Sequence, residues 1–173
     1  MSILEKFKSI RTFVFDVDGV MTDGSVQVFE NGEQVRRMNT RDGYSLQLAI
    51  KKGYRVLVIS GGTSEGVRKR LQYLGINDIF LSVKDKKEVL DQYTKEHRLE
   101  EKDILYMGDD IPDYAVMKRV GLACAPADAA PEIRHIAAYI SSFGGGQGCV
   151  RDVIEKVLKL NGQWDLDLSV ASN

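Results

Sequence analysis

The sequence predicts a doubly wound α/β fold built on a mostly parallel sheet. Short apolar runs alternate along the chain with segments of helical period, and most of the runs are near-continuous, as in strands buried on both faces. Unusual polar residues also fall at the C-terminal ends of several different runs, where the ligand crevice of an open α/β sheet lies.

The first run, 12–16, ends on Asp16. Two β-like runs then flank Glu30-Asn31-Gly32-Glu33, and Asn-Gly between such runs signals a β-hairpin over about 25–38. A helix is expected to begin near Asp42, followed by a strand at 56–60. Val67, Leu71 and Leu74 mark one helical face, which Gly75 closes. After a strand at 79–83, Val89, Leu90 and Tyr93 mark the next helix, and a strand follows at 104–107. Pro112 suits the first turn of a helix that Gly121 would end. Strands at 122–125 and 139–142 come next, and Val150, Val153, Ile154, Val157 and Leu158 form the face of a last helix, with Gly162 beyond it. The tail, about 161–173, reads as loosely structured, with Trp164, Leu166 and Leu168 able to dock.

With 173 residues the chain suits one domain, 1–173, with a sizeable core. A formal net charge of −1 provides no basic face for nucleic acid and no polybasic patch for a membrane. Asp16 and Asp18 interrupt the first apolar stretch, which excludes a signal core or membrane span there. Cys124 and Cys149 lack CxxC spacing, so neither a disulfide framework nor a zinc knuckle is expected, and a reducing cytoplasm is the default.

The chemistry gathers in four predicted loops: Asp16-Val17-Asp18-Gly19, Ser60-Gly61-Gly62, Lys86 at a helix start, and Gly108-Asp109-Asp110 with Asp113 one turn later. Carboxylates crowded into one crevice repel each other unless a cation holds them, and oxygen ligands without His or Cys suit Mg²⁺. Such a metal would neutralise a phosphate while one carboxylate attacks phosphorus. The expected roles follow. Asp16 is nucleophile and metal ligand, Asp18 is the acid/base, and Ser60 with the amides of Gly61 and Gly62 donates to the phosphoryl oxygens. Lys86 offsets negative charge, Asp109 completes the metal site, and Asp110 and Asp113 support it, Asp113 by orienting Lys86 or a metal-bound water.

These four segments, in this order, resemble the motifs of the haloacid dehalogenase (HAD) superfamily of phosphotransferases, which implies a Rossmann-like core. The spacing from Asp18 to the second strand, and from Ser60 to Lys86, leaves no room for the cap domain that many members insert. More finely, Thr22-Asp23-Gly24, Asn39-Thr40-Arg41-Asp42-Gly43-Tyr44, 108–114 and 144–151 are similar to segments of the 3-deoxy-D-manno-octulosonate 8-phosphate phosphatase family. That resemblance implies Mg²⁺-dependent hydrolysis of a small phosphorylated sugar acid through an aspartyl-phosphate, in making the inner-core sugar of lipopolysaccharide. It also implies a homotetramer in which hairpins and tails of neighbouring subunits help close each site; the 144–148 loop reads as a subunit contact, with a flexible loop as the plainer alternative. Carried over by position, Asp16, the Asp18 backbone and Asp109 touch the metal, while Asn39, Thr40, Arg41, Asp42, Gly43, Arg70 and Lys86 contact substrate.

Two departures bear on the substrate. Family members often carry Arg where this chain has Gly62, and again where it has Gln47, so bidentate recognition of the sugar-acid carboxylate is lost there. Arg41, Arg68 and Arg70 are the expected replacements, and 2-keto-3-deoxynononic acid 9-phosphate is an alternative substrate. Singly, each motif has a plainer reading: Asp16 and Asp18 as a turn or cap, Ser60–Gly62 as a tight turn, Lys86 as a solvated helix start, Asp109–Asp113 as acids at a helix N-terminus. His97 and His135 have no partners at ligand spacing and read as surface residues. A non-catalytic subunit keeping the fold is the alternative of another class, but such drift usually erodes the nucleophile, the acid/base or the lysine. A receiver domain that accepts phosphate from a kinase would not need Asp18.

Overall fold

A computed structural model of the chain describes residues 1–170; 171–173, the end of the expected tail, lie outside the described residues. In chain order the helices are α1 (Ile3–Ser9), α2 (Thr40–Lys51), α3 (Glu65–Tyr73), α4 (Lys86–His97), α5 (Tyr114–Met117), α6 (Pro131–Ile136) and α7 (Cys149–Leu160). The strands are β1 (Thr12–Phe15), β2 (Gln27–Val28), β3 (Gln34–Val35), β4 (Arg55–Ile59), β5 (Asp78–Phe80), β6 (Ile104–Met107), β7 (Leu122–Ala125) and β8 (Tyr139–Ile140).

Six strands form one parallel sheet in the order β5-β4-β1-β6-β7-β8, so β1 lies at the centre, with Phe15 opposite Val58 on one side and Met107 on the other. The strand alternation divides the core into two layers. Phe13, Phe15, Val56, Val58, Leu105 and Met107 face one way, against α1, α2, α3 and α7. Val14, Leu57, Ile59, Ile104 and Tyr106 face the other way, against α4, α5 and α6. Apolar residues are thus needed at consecutive strand positions, and this explains the near-continuous runs. No separate cap domain stands over the sheet among the described residues. Its place is taken by the antiparallel β2–β3 pair, whose turn uses Gly32 as expected.

The strands at 104–107 and 122–125 match their expected bounds, and the others agree within a few residues. β5 and β8 are shorter than expected. Beyond β5, Ser82 turns the chain (φ +58°), and its N–H donates to Gly62 O while that of Val83 donates to Ser60 O. The helix after Pro112 differs more. A short 3-10 turn over Ile111–Asp113 leads into α5, which stops at Met117, before Gly121. Gly121 serves close packing instead: a Cβ there would lie 2.2 Å from Lys102 O. The unexpected α1 carries a capping box, in which the Ser2 hydroxyl accepts from Glu5 N–H and the Glu5 carboxylate accepts from Ser2 N–H.

The described part of the tail, 161–170, is more ordered than its sequence suggests. Trp164 meets the Tyr44 ring edge-on at 6.2 Å, Lys51 pairs with Asp167 at 2.6 Å, and Lys52 pairs with Asp165 at 2.7 Å. Leu166 and Leu168 do not dock; each is 88% exposed. His97 lies against the Tyr93 ring, 4.2 Å between centroids.

α7 buries Cys149, Val150, Val153, Ile154, Val157 and Leu158 and packs across α2, so it seals the layer beneath the central strands. Ile154→Ala is expected to cost about 2–5 kcal/mol, because the cavity it leaves lies in a fully buried layer. Leu166→Ala should change stability by less than about 0.5 kcal/mol. Urea unfolding of both variants checks this; equal effects would contradict the assignment of the core.

Candidate active site

The C-terminal ends of β1, β4 and β6 and the start of α4 converge as expected. Asp16 follows β1 and caps the turn over Val17–Met21, its Oδ1 accepting from Val17 N–H at 2.7 Å. Within that turn Gly19 adopts φ +87°, and a Cβ there would lie 1.9 Å from Asp109 Oδ2. Only glycine lets the β1 turn and the β6 loop approach this closely.

Lys86 is buried, with Nζ 3.0 Å from Asp16 Oδ2 and 2.7 Å from Asp113 Oδ1. Tyr106 OH donates to the same Asp113 oxygen at 2.7 Å, and Asp109 and Asp110 N–H donate to Asp113 Oδ2 at 3.0 and 3.4 Å. Asp113 therefore holds the lysine and the β6 loop together. Tyr106 is a participant that the sequence reading missed; it occupies an apolar strand position and gives no motif signal.

Asp16, Asp109 and Asp113 each bring an oxygen within 4.8 Å of the others. Asp113 already accepts from four donors, so Asp16 and Asp109 are the carboxylates suited to a cation. Asp109 Oδ1 is buried without a hydrogen-bond partner, the kind of atom that a metal ion would satisfy. An all-oxygen donor set suits Mg²⁺. The electrostatics agree. Burial, with the nearby Asp113 charge, pushes the Asp16 carboxyl up to about 6 despite the opposing pull of Lys86. Burial, then Asp16, Asp113 and Asp110, push Asp109 up to about 8. Burial alone would lower Lys86, but Asp16 and Asp113 raise it and keep it charged.

The Asp18 side chain points elsewhere. Both its oxygens are held by Arg36 from the hairpin, Nε to Oδ1 at 2.6 Å and Nη2 to Oδ2 at 3.1 Å. Its side chain is thus not placed as a metal ligand. Ser60 Oγ accepts from Gly62 N–H at 3.1 Å. This corrects one expectation: the Gly62 amide is spent on the serine, leaving the Ser60 hydroxyl proton to act as donor.

The expected substrate contacts separate. Asn39 caps α2, its Oδ1 accepting from Arg41 and Asp42 N–H, and its Nδ2 donates to Gly146 O at 3.1 Å. Asp42 and Gly43 are buried, and Asp42 Oδ1 accepts from Arg151 N–H at 2.9 Å, tying α2 to α7; neither is placed to meet substrate. Burial pushes the Asp42 carboxyl up to about 6 as well. Thr40 and Arg70 line a cavity of about 750 Å³ between the hairpin and α3, whereas Arg41 borders surface hollows on the α7 side. Arg68 pairs with Glu65 and donates to Ile79 O. The 144–148 loop packs within the chain, Gly146 N–H donating to Val20 O in the site turn at 2.9 Å.

Arg36 is the other omission. Strand alternation offered the signal, since Gln34 and Arg36 share a side that Arg37 does not: the Arg36 side chain is 8% exposed and that of Arg37 90%.

Residues 75–148 match the model of the haloacid dehalogenase-like hydrolases. The chain is 33% identical over 163 residues to the 3-deoxy-D-manno-octulosonate 8-phosphate phosphatase KdsC of Escherichia coli K12, covering 94% of this chain and 87% of that one. The crystal structure of the Yersinia pestis phosphatase of that name superposes with a TM-score of 0.91 at 32% identity, covering 93% and 87% of the two chains. That from Moraxella catarrhalis, in complex with magnesium, phosphate and KDO, gives 0.88 at 32% identity, covering 91% of each.

A carboxyl whose folded-state value is raised stabilises the fold below its unfolded value, about 4, and that contribution is lost as pH rises through the folded value. Asp16 and Asp42 lose it around 6, and Asp109 around 8. With EDTA, the melting temperature is therefore expected to fall between about pH 5 and pH 8. Mg²⁺ should raise it more at the upper pH, because at the lower one the metal must displace protons. An equal Mg²⁺ effect at both would contradict a site built on Asp16 and Asp109.

Proposed function

The chain belongs to the 3-deoxy-D-manno-octulosonate 8-phosphate phosphatases, a family of haloacid dehalogenase-like hydrolases, and we propose that it hydrolyses this sugar-acid ester, or one closely like it, to the free acid and phosphate. The observation that carries the proposal is the buried Lys86 contact to Asp16 and Asp113 beside the unpartnered Asp109 oxygen, which together form a site for a cation and a phosphoryl group.

In the proposed reaction Asp16 attacks phosphorus and forms an aspartyl-phosphate as the ester P–O bond breaks. Asp18 turns to the departing oxygen and gives it a proton. It then takes a proton from water, whose oxygen attacks phosphorus, releasing phosphate and restoring Asp16. Lys86 and the Ser60 hydroxyl hold phosphoryl oxygens, and Asp113 keeps Lys86 in place. Mg²⁺, held by Asp16, Asp109 and the Asp18 backbone, supplies charge neutralisation between the incoming phosphate and the carboxylates.

The assembly we propose is a homotetramer with the hairpin of one subunit closing the site of the next. Val26, Val28, Phe29 and Val35 are exposed apolar residues spread over both faces of that hairpin, which supports its covering by a neighbour. Two buried free thiols fit a reducing cytoplasm. The product would enter lipopolysaccharide core-sugar synthesis.

A panel of phosphate esters with Mg²⁺, and an EDTA control, tests the activity. The octulosonate 8-phosphate should lead, ahead of the nine-carbon 2-keto-3-deoxynononic acid 9-phosphate, with EDTA abolishing turnover. Asp16→Asn should fold normally and lose more than about 10⁴-fold in kcat. Release of phosphate from none of the esters would refute the proposal and favour a non-catalytic role.

A further inference from the structure

The hairpin is solvent-exposed along most of its length, yet it sends one guanidinium inward. Arg36 meets Asp18 fork to fork through Nε and Nη2, and its side chain is nearly buried. It lies over Gly62: a Cβ at that glycine would come within 3.4 Å of both Asp18 Oδ2 and Ser60 Oγ, and 3.6 Å from Arg36 Nη2. Arg36 also lines the cavity between the hairpin and α3, together with Gln34, Thr40, Ser64 and Arg70. It therefore stands where the phosphoryl site meets the space open to a leaving group.

This geometry conflicts with the proposed reaction as it stands. Both Asp18 oxygens are engaged by the fork, so the carboxylate cannot swing toward the departing alcohol without leaving it. A guanidinium largely withdrawn from water needs an anionic partner, so releasing Asp18 is costly unless another carboxylate takes its place. The fork now grips a carboxylate in two-point geometry, and a carboxylate on the leaving group would fit the same donors.

We propose that Arg36 is a specificity-determining residue, whose fork passes from Asp18 to a carboxylate of the bound leaving group and so frees Asp18 to face the departing oxygen. The inference rests on the phosphatase reading above and deepens it: the enzyme selects phosphate esters of an acid because only they supply the exchange partner. The cation that recognises the acid comes from the hairpin rather than from the loop after β4.

Steady-state kinetics with Mg²⁺ on wild type, Arg36→Gln and Arg36→Lys test this with two esters, the octulosonate 8-phosphate and ribose 5-phosphate, which has no carboxylate. Wild type should prefer the acid. Arg36→Gln should lose on the order of 10- to 100-fold in kcat/KM on the acid, mainly through KM, as expected for a lost charged hydrogen bond. Arg36→Lys should recover part of that loss, and ribose 5-phosphate, for which Arg36→Gln only removes the restraint on Asp18, should be turned over at least as fast as by wild type. Equal losses on both esters would mean that Arg36 serves the phosphoryl group or the fold, and would overturn the inference, as would an unchanged KM for the acid. If Arg36→Gln does not fold, the same comparison is made with Arg36→Lys, whose KM should rise for the acid alone. A wild type that hydrolyses neither ester sinks the phosphatase reading itself, and the inference with it.

Discussion

The Lys86 ammonium lies 3.0 Å from Asp16 and 2.7 Å from Asp113, and the arrangement of the site depends on those two contacts. A buried ammonium must be paired, and so must the carboxylates beside it. Meeting both needs joins the start of α4, the end of β1 and the loop after β6 at one point. Asp113 completes the joint by accepting from Tyr106 and from the Asp109 and Asp110 amides. One lysine among three carboxylates leaves negative charge in excess, and the excess falls on Asp109. Burial and that same imbalance raise its proton affinity and prepare it for a divalent cation and, through that cation, for a phosphate.

The fold supplies this joint from its most rigid part. β1 is flanked by strands on both sides and covered by helices on both faces, so Asp16 projects from the centre of the sheet. The parts that would decide which molecule reaches Asp16 are set at the rim: the hairpin, the first turns of α2 and α3, and the 144–148 loop braced against the Gly19 turn. Chemistry and selection therefore rest on different elements. With no cap among the described residues, selection falls to side chains such as Arg36 and Arg70, and in the proposed assembly to a neighbouring subunit.

Much of this was legible in the sequence because burial writes a plain pattern. The strands at 104–107 and 122–125 are uninterrupted apolar runs bounded by Asp103, Gly108, Gly121 and Pro126, and each matched its expected bounds. Asp16, Ser60, Lys86, Asp109 and Asp113 stood out because polar residues at strand ends and helix starts break that pattern. What the sequence hid depends on tertiary contact. Gly121 reads as a helix stop but serves close packing against Lys102, so the end of α5 was misplaced. Asp42 looks like a ligand contact until α7 is laid against α2 and the Arg151 amide takes one oxygen of its carboxylate. The Arg36–Asp18 pair joins a hairpin to a turn 18 residues away, and strand alternation, which sets Arg36 apart from Arg37, does not reveal its partner.

The central claim is that Asp16 carries the phosphoryl group. Borohydride quenching of the enzyme during turnover, followed by peptide mass spectrometry, tests it most directly, because hydride reduces an aspartyl-phosphate to homoserine and leaves free carboxylates unchanged. The account predicts homoserine at position 16 alone, formed only when both substrate and Mg²⁺ are present. Turnover without modification of Asp16, or reduction at Asp18 or Asp109 instead, would contradict it.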